Sequence, residues 1–387
     1  MPSAQAKVTL IVLVAAIGLG VLIKLPESWC YTDFASTPLP AGKASAPKDR
    51  DGIKREMVKF QCTTNSSESL MSMWMCDGWL YTPLKELSLQ NKDKQFPVIV
   101  MAHGIGATKD QGLAIFAEQF AENGFMVLLF DYLHFGLSDG TPRHKINPMQ
   151  HVMDYQSAIR YVESNEDVDA TRIGLWGTSY AGGHVLVTAS KEKSKVKAVI
   201  SQMPFLGALP SENPMDEMKK RGIPNVIKGL LGAVSSKVRQ QFGMSALYSR
   251  MYGHVADGEK LALNYWETFG GSQEKWLSKH PKTRPNDWRN AVATESLLDM
   301  VKYKPVNHID EIDSKHTKVL VVQAKHDKLC PNHRMDYVIQ RLQCESHMED
   351  TTHFGMYTGK IFDSVIKVQV DFFNRHLKPS KTLKVLD

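Results

Sequence analysis

Short apolar runs, each followed by residues at helical spacing, recur through the body of the chain. The run PVIVMA at 97–102 precedes a helical pattern over 111–122, and FMVLLF at 125–130 precedes one over 149–163. RIGLWG at 172–177 leads into a helix starting at Ser179, VKAVIS follows at 196–201, and KVLVVQA at 318–324 precedes a helix over 334–342. A short segment at 344–348 comes next, and 360–377 reads as a final amphipathic helix. Upstream, 56–61 and 70–81 read as two strands around a polar turn, Thr63 to Ser67. Runs this short and continuously apolar suit strands buried on both faces, and their alternation with helices implies parallel, right-handed crossovers. The pattern predicts an α/β fold with a doubly wound, mostly parallel sheet. One block breaks the rhythm. Residues 204–304 show helical patterning, at 225–234, 246–252 and 288–300, without a convincing strand, and read as a helical cap inserted between two sheet strands. The expected organisation is a catalytic domain at 55–203 and 305–387, the cap at 204–304, a linker at 25–54 and a separate N-terminal segment at 1–24.

That segment holds VTLIVLVAAIGLGVLI at 8–23, free of charge and bracketed by Lys7 and Lys24. It would span roughly 24 Å as a helix, against a hydrocarbon core of ~30 Å, and the two lysines could snorkel to extend it. The expectation is a single-pass signal-anchor that makes a membrane the partner of this end. The rival reading is a cleaved signal peptide, although no small-x-small site follows the run, and a buried core helix is the third. Residues 37–52 are rich in Pro, Ala, Gly and charge, as an exposed linker would be.

Composition changes the picture little. At 387 residues, 43% hydrophobic and 23% charged, the chain has ample apolar content for a core and is not a disordered protein. The net charge of +6 is scattered, with only a weak basic cluster at 43–55, so nucleic acid is not an expected partner. Cys30, Cys62, Cys76, Cys330 and Cys344 make no CxxC pair, and neither a disulfide scaffold nor a metal or cofactor is expected. In an oxidising compartment Cys62 and Cys76 could join across a hairpin, and Asn65-Ser66-Ser67 could be glycosylated; two packed thiols are the equal alternative.

The chemistry sits at strand ends. Gly177-Thr178-Ser179-Tyr180-Ala181 is a G-x-S-x-A form of the nucleophile elbow, where small residues two positions either side let a strand reverse sharply into a helix. Ser179 would then lie at a helix N-terminus, whose dipole favours negative charge. After the run at 97–102 comes His103-Gly104-Ile105-Gly106, the place for a second oxyanion donor, so the backbone N–H groups of Ile105 and Tyr180 are the candidate pair. His103 itself reads as a structural residue packing that loop. Asp327 follows the run at 318–324, where a helix cap is the alternative role, and His353 precedes the last helix. The order Ser179, Asp327, His353 is that of the doubly wound serine hydrolases: nucleophile, orienting acid, general base. Asp131 and Asp139 read as loop-holding residues or pocket lining, and His184 as packed. Met and aromatic residues of the cap, among them Met215, Phe242, Met244, Tyr248 and Met251, could line an acyl pocket or form the core of a lid.

With these motifs, the chain resembles the α/β-hydrolase superfamily. Gly136-Leu137-Ser138-Asp139-Gly140-Thr141-Pro142-Arg143, the stretch VDATRIGLWG at 168–177, Gly182-Gly183-His184 and VISQMPF at 199–205 are similar to one branch of it. That branch holds dienelactone-hydrolase-like proteins, Xaa-Pro dipeptidyl-peptidase and cocaine-esterase-like enzymes, and fungal polyketide transferases. The resemblance implies an α/β-hydrolase fold and a serine hydrolase, although no separate C-terminal jelly-roll follows His353 as it does in those peptidases. The expected function is cleavage of an ester or thioester of a lipophilic small molecule. A peptidase, an acyltransferase using the same residues and a catalytically silent binding protein are the alternatives.

Overall fold

Two strands open the described chain: β1 (Ile53–Gln61) and β2 (Met75–Pro83), paired antiparallel with Phe60 opposite Cys76. The computed structural model describes residues 52–64, 73–84, 95–213, 215, 216, 219, 222–249, 251 and 291–378. Next come β3 (Phe96–Ala102), α1 (Ala114–Glu122), β4 (Met126–Phe130), α2 (Pro148–Glu163), β5 (Val168–Thr178), α3 (Tyr180–Glu192) and β6 (Val196–Gln202). The residues between β6 and β9 contribute α4 (Ile223–Gln241), a two-stranded pair of β7 (Tyr248–Ser249) with β8 (Val292–Ala293), α5 (Ser296–Met300) and a 3₁₀ turn at Pro305–Glu311. β9 (Lys318–Ala324), α6 (Asn332–Leu342), β10 (Glu345–Glu349), a second 3₁₀ turn (His353–Tyr357) and α7 (Gly359–Leu377) complete the fold.

The main sheet has eight strands in the order β1-β2-β4-β3-β5-β6-β9-β10. Every pairing from β4 to β10 is parallel; only β2 runs against its neighbours. All residues of β3 and β4 are buried, which is why their sequences read as continuous apolar runs. α2 and α3 pack on each other over one face, and α1 and α7 meet over the other. Local signals set the helix starts: the Asn147 side chain accepts from the Gln150 N–H at 3.1 Å, and Pro148 fills the first helical position. Between the layers, the buried Trp176 indole donates to Gln369 of α7 at 2.8 Å, and Gln369 donates to Gln202 of β6 at 2.6 Å.

Two expectations are corrected here. The periodicity predicts a helix over 246–252, but Tyr248 and Ser249 pair with Ala293 and Val292 as a short antiparallel ladder. Its partner lies far along the chain, so no local periodicity announces it. The second concerns the membrane. No helix among the described residues is long and apolar enough to cross one, and the run at 8–23 lies outside the described residues. The single-pass anchor, the membrane partner and the membrane localisation are withdrawn; a sixteen-residue run of roughly 24 Å falls short of the ~30 Å hydrocarbon core. The alternative of a cleaved signal falls on the same residues, as does the linker apart from 52–54, and Asn65 is likewise outside the described residues.

Cys62 and Cys76 are joined by a disulfide, their Cα atoms 5.9 Å apart and both side chains buried. It closes a loop with a sequence separation of 14. A cross-link around a loop of this size stabilises a fold by about 3 kcal/mol. Replacing both cysteines by serine should therefore lower the unfolding free energy in urea by about 3 kcal/mol. An unchanged urea midpoint would show that the bond does not constrain the unfolded chain.

Candidate active site

Four parallel strands, two on either side of β6, deliver the candidate residues to one edge of the sheet. β5 ends at Ser179, β3 at His103, β9 leads to Asp327 and β10 to His353, and all four strands point the same way. Ser179 has φ 57° and ψ −116°, a conformation that costs a non-glycine residue on the order of 1–3 kcal/mol. β6 and the chain after it hold the residue there: Ser179 N–H donates to Gln202 O and Phe205 N–H to Ser179 O, both at 2.8 Å. The turn is as tight as the motif requires. A Cβ on Gly177 would lie 2.3 Å from the Ala181 carbonyl oxygen, so nothing larger than glycine fits without backbone movement. Tyr180 opens α3 directly after Ser179, so its N–H is one of the amides that the helix leaves without an intrahelical partner.

The turn after β3 closes over the serine. A Cβ on Gly104 would come within 3.4 Å of Ser179 Cβ and 3.8 Å of its Oγ. Ile105 follows and is buried. On the other side, His353 Nδ1 donates to Asp327 Oδ2 at 2.7 Å, both side chains being almost fully buried. The second oxygen, Oδ1, accepts from the backbone N–H of Leu329 at 2.8 Å and of Cys330 at 2.9 Å. A buried carboxylate pinned in this way fixes which imidazole nitrogen carries the proton and leaves the other able to take one. Cys330 completes the neighbourhood. Its thiol is buried, and burial, with the nearby Asp327 carboxylate, pushes its pKa up.

The thiol of Cys330, the Asp327 carboxylate and a ring nitrogen of His353 lie within 4.8 Å of one another, donor types that could hold a metal ion. The Asp327 oxygens are, however, already engaged by His353 and two amides. The other such group among the described residues, Cys62, Cys76 and Asp154, has its sulfurs joined in the disulfide.

Other residues singled out from the sequence take structural places. His184 is buried, pairs with Tyr303 at 2.7 Å, and is held neutral by burial, its pKa pushed down to about 3. Asp139 accepts the Met75 N–H at 2.8 Å and braces the start of β2. Asp131 is bound to Lys109, a side chain that no motif or pattern in the sequence marks out: Lys109 sits 2.5 Å from Asp131 and 2.6 Å from Asp77, all three buried. Of the cap residues, Met215, Phe242 and Met244 are exposed, whereas Tyr248 and Met251 are buried.

Comparison with known proteins places the fold. The chain is 30% identical over 312 residues to the quorum-quenching protein AidA of Acinetobacter baumannii, covering 78% of this chain and 91% of that one. It is 27% identical over 291 residues to the thiohydrolase aneE of Aspergillus aculeatus, covering 74% and 88%. It is 24% identical over 311 residues to the polyketide transferase grgF of a Penicillium species, covering 78% and 92%. The crystal structure of that alpha/beta hydrolase superposes with a TM-score of 0.67 at 21% identity, over 84% of this chain and 99% of the other. Residues 97–360 match the model of the alpha/beta hydrolase fold, and the chain belongs to that family.

Proposed function

We propose that this protein is a serine hydrolase that cleaves an ester or thioester of a lipophilic small molecule through an acyl-enzyme. Ser179 Oγ attacks the carbonyl carbon while its proton passes to the ring nitrogen of His353 that does not face Asp327. The oxyanion forms beside the N–H groups of Ile105 and Tyr180. The leaving alkoxide or thiolate takes the proton from His353, and a water repeats the sequence to release the acid. The buried 2.7 Å contact between His353 and Asp327, at the sheet edge that also carries Ser179 in its strained turn, supports the reading. The relatives named thiohydrolase support an acyl substrate. Residues 204–304, in the stretch between β6 and β9, are the proposed cap.

Acyl transfer is the second reading, favoured by relatives named acyltransferase and polyketide transferase. A peptidase gains no support. Of the acidic residues that could hold a substrate ammonium, Glu212, Asp216 and Glu217, the first is paired with His333 at 2.8 Å and Arg334 at 3.0 Å, and Glu217 lies outside the described residues. These partners hold the Glu212 carboxyl at about 2 against a burial effect that would raise it. A fluorophosphonate should label the wild-type protein and fail to label Ser179→Ala; an unlabelled wild type would overturn the serine-hydrolase reading. Incubation of labelling-competent protein with an acyl thioester, with and without an added alcohol, separates hydrolysis from transfer by the product.

A further inference from the structure

The Gly104–Ile105 peptide is gripped from behind. His103 Nδ1 lies 2.9 Å from Gly104 O, and because a carbonyl only accepts, Nδ1 carries the hydrogen. The Ala107 N–H reaches the same oxygen at 3.4 Å. In a trans peptide the C=O and the following N–H point in opposite directions. Holding Gly104 O toward His103 therefore turns the Ile105 N–H the other way, on a turn whose Gly104 already lies against Ser179.

What holds His103 is a buried charged cluster. Its Nε2 faces Asp131 Oδ1 at 3.7 Å, and its ring meets Tyr132 edge-on at 4.6 Å. Asp131 Oδ1 also accepts the Lys109 backbone N–H at 2.7 Å, and Oδ2 accepts the Lys109 ammonium at 2.5 Å and the Leu137 N–H at 3.3 Å. Lys109 belongs to the same loop as Ile105, so the loop is tied to the end of β4 by side chain and backbone together. Asp77 of β2 takes the ammonium from the other side. All four ionisable groups are 1–2% exposed. Resting on the serine-hydrolase reading above, we propose that Lys109, Asp131 and His103 form a positioning chain that fixes the plane of the Gly104–Ile105 peptide and so aims the Ile105 N–H at the substrate oxyanion. None of the three is a catalytic residue; each acts through the next.

Steady-state hydrolysis of p-nitrophenyl butyrate by the full-length chain tests this. His103→Ala should lower kcat about 10- to 100-fold with little change in KM, since the donor it aims acts on the transition state. In His103→Asn the side-chain amide can replace Nδ1–H as donor and should restore kcat to within about threefold. Asp131→Asn should lower kcat about fivefold in the wild-type background but not in His103→Ala, because coupled residues do not add. Thermal melts establish that each variant is folded, and the two asparagine variants keep a polar side chain should the alanine variant fail to fold. The positioning chain is overturned if folded His103→Ala keeps the wild-type kcat, if folded Asp131→Asn keeps it, or if the costs at 103 and 131 multiply. A wild type that does not turn over the ester, or a Ser179→Ala variant that still does, instead overturns the hydrolase reading on which the positioning chain rests.

Discussion

Asp327→Asn is expected to lower kcat by about 10⁴ while KM and the thermal midpoint barely move. The reason lies in how the two carboxylate oxygens are occupied. Oδ1 accepts two backbone N–H groups, from Leu329 and Cys330, at 2.8 and 2.9 Å. An asparagine must keep its carbonyl oxygen there, because turning the amide would set its NH₂ against two donors. The NH₂ is then left facing His353 Nδ1, where Oδ2 accepts in the wild type at 2.7 Å. The ring answers by presenting a lone pair at Nδ1 and carrying its proton on the other nitrogen, the one that must accept from Ser179. The loop keeps its backbone hydrogen bonds, so the fold survives while the base is in the wrong tautomer. Steady-state kinetics beside thermal melting check this. A variant within tenfold of wild type would show that Asp327 does not orient the base.

How far the sequence reached depended on whether the determining contact was local. The strands β3 to β6 and β9 are legible because burial on both faces writes a short, mostly apolar run into each of them. The elbow was legible for a steric reason now visible as the 2.3 Å approach of a Gly177 Cβ to the Ala181 carbonyl. Asp327 and His353 could be picked out because both follow strands that end at the same edge, although only the fold brings them together. Tyr248 and Ser249 were misread as helical because their partners, Ala293 and Val292, come from a distant segment that no window contains. Lys109 was invisible for a related reason. Between Thr108 and Asp110 it reads as a solvated loop residue, and its burial is created by Asp77 and Asp131 from two other strands. Asp131 stands out at the end of its apolar run, whereas the charge it serves does not. The disulfide lay between these cases: the two cysteines were a visible pair, and the antiparallel register that sets Phe60 opposite Cys76 brings them within bonding range.

Lys109→Met should cost about 3–5 kcal/mol of stability, the penalty for removing one partner from a buried ionic cluster. Burial already raises the Asp77 carboxyl above its ordinary value of 3.8, with Lys109 offsetting only part of that rise. Burial pushes Asp131 upward too, and the Lys109 ammonium reverses it to a net lowering. Without the ammonium both carboxyls would titrate above 3.8 in the folded chain. A group raised in this way costs stability as pH climbs past its unfolded value, whereas the wild-type Asp131, being lowered, contributes stability there and loses it in acid. The gap between variant and wild type should therefore widen from pH 4 to pH 7 in urea or thermal unfolding, and a gap that is constant or narrows would refute the assignment. Adding Asp77→Asn and Asp131→Asn to Lys109→Met removes the stranded charges, while the amide oxygen that Asp131→Asn introduces still accepts from the backbone N–H of residue 109, and only the longer contact with the N–H of residue 137 is lost. Charge-free replacements of buried ion clusters are often close to neutral, so this triple variant should regain most of the lost stability. If it does so while its kcat stays low, the cluster is held in the core for the direction of one peptide bond rather than for the stability of the fold.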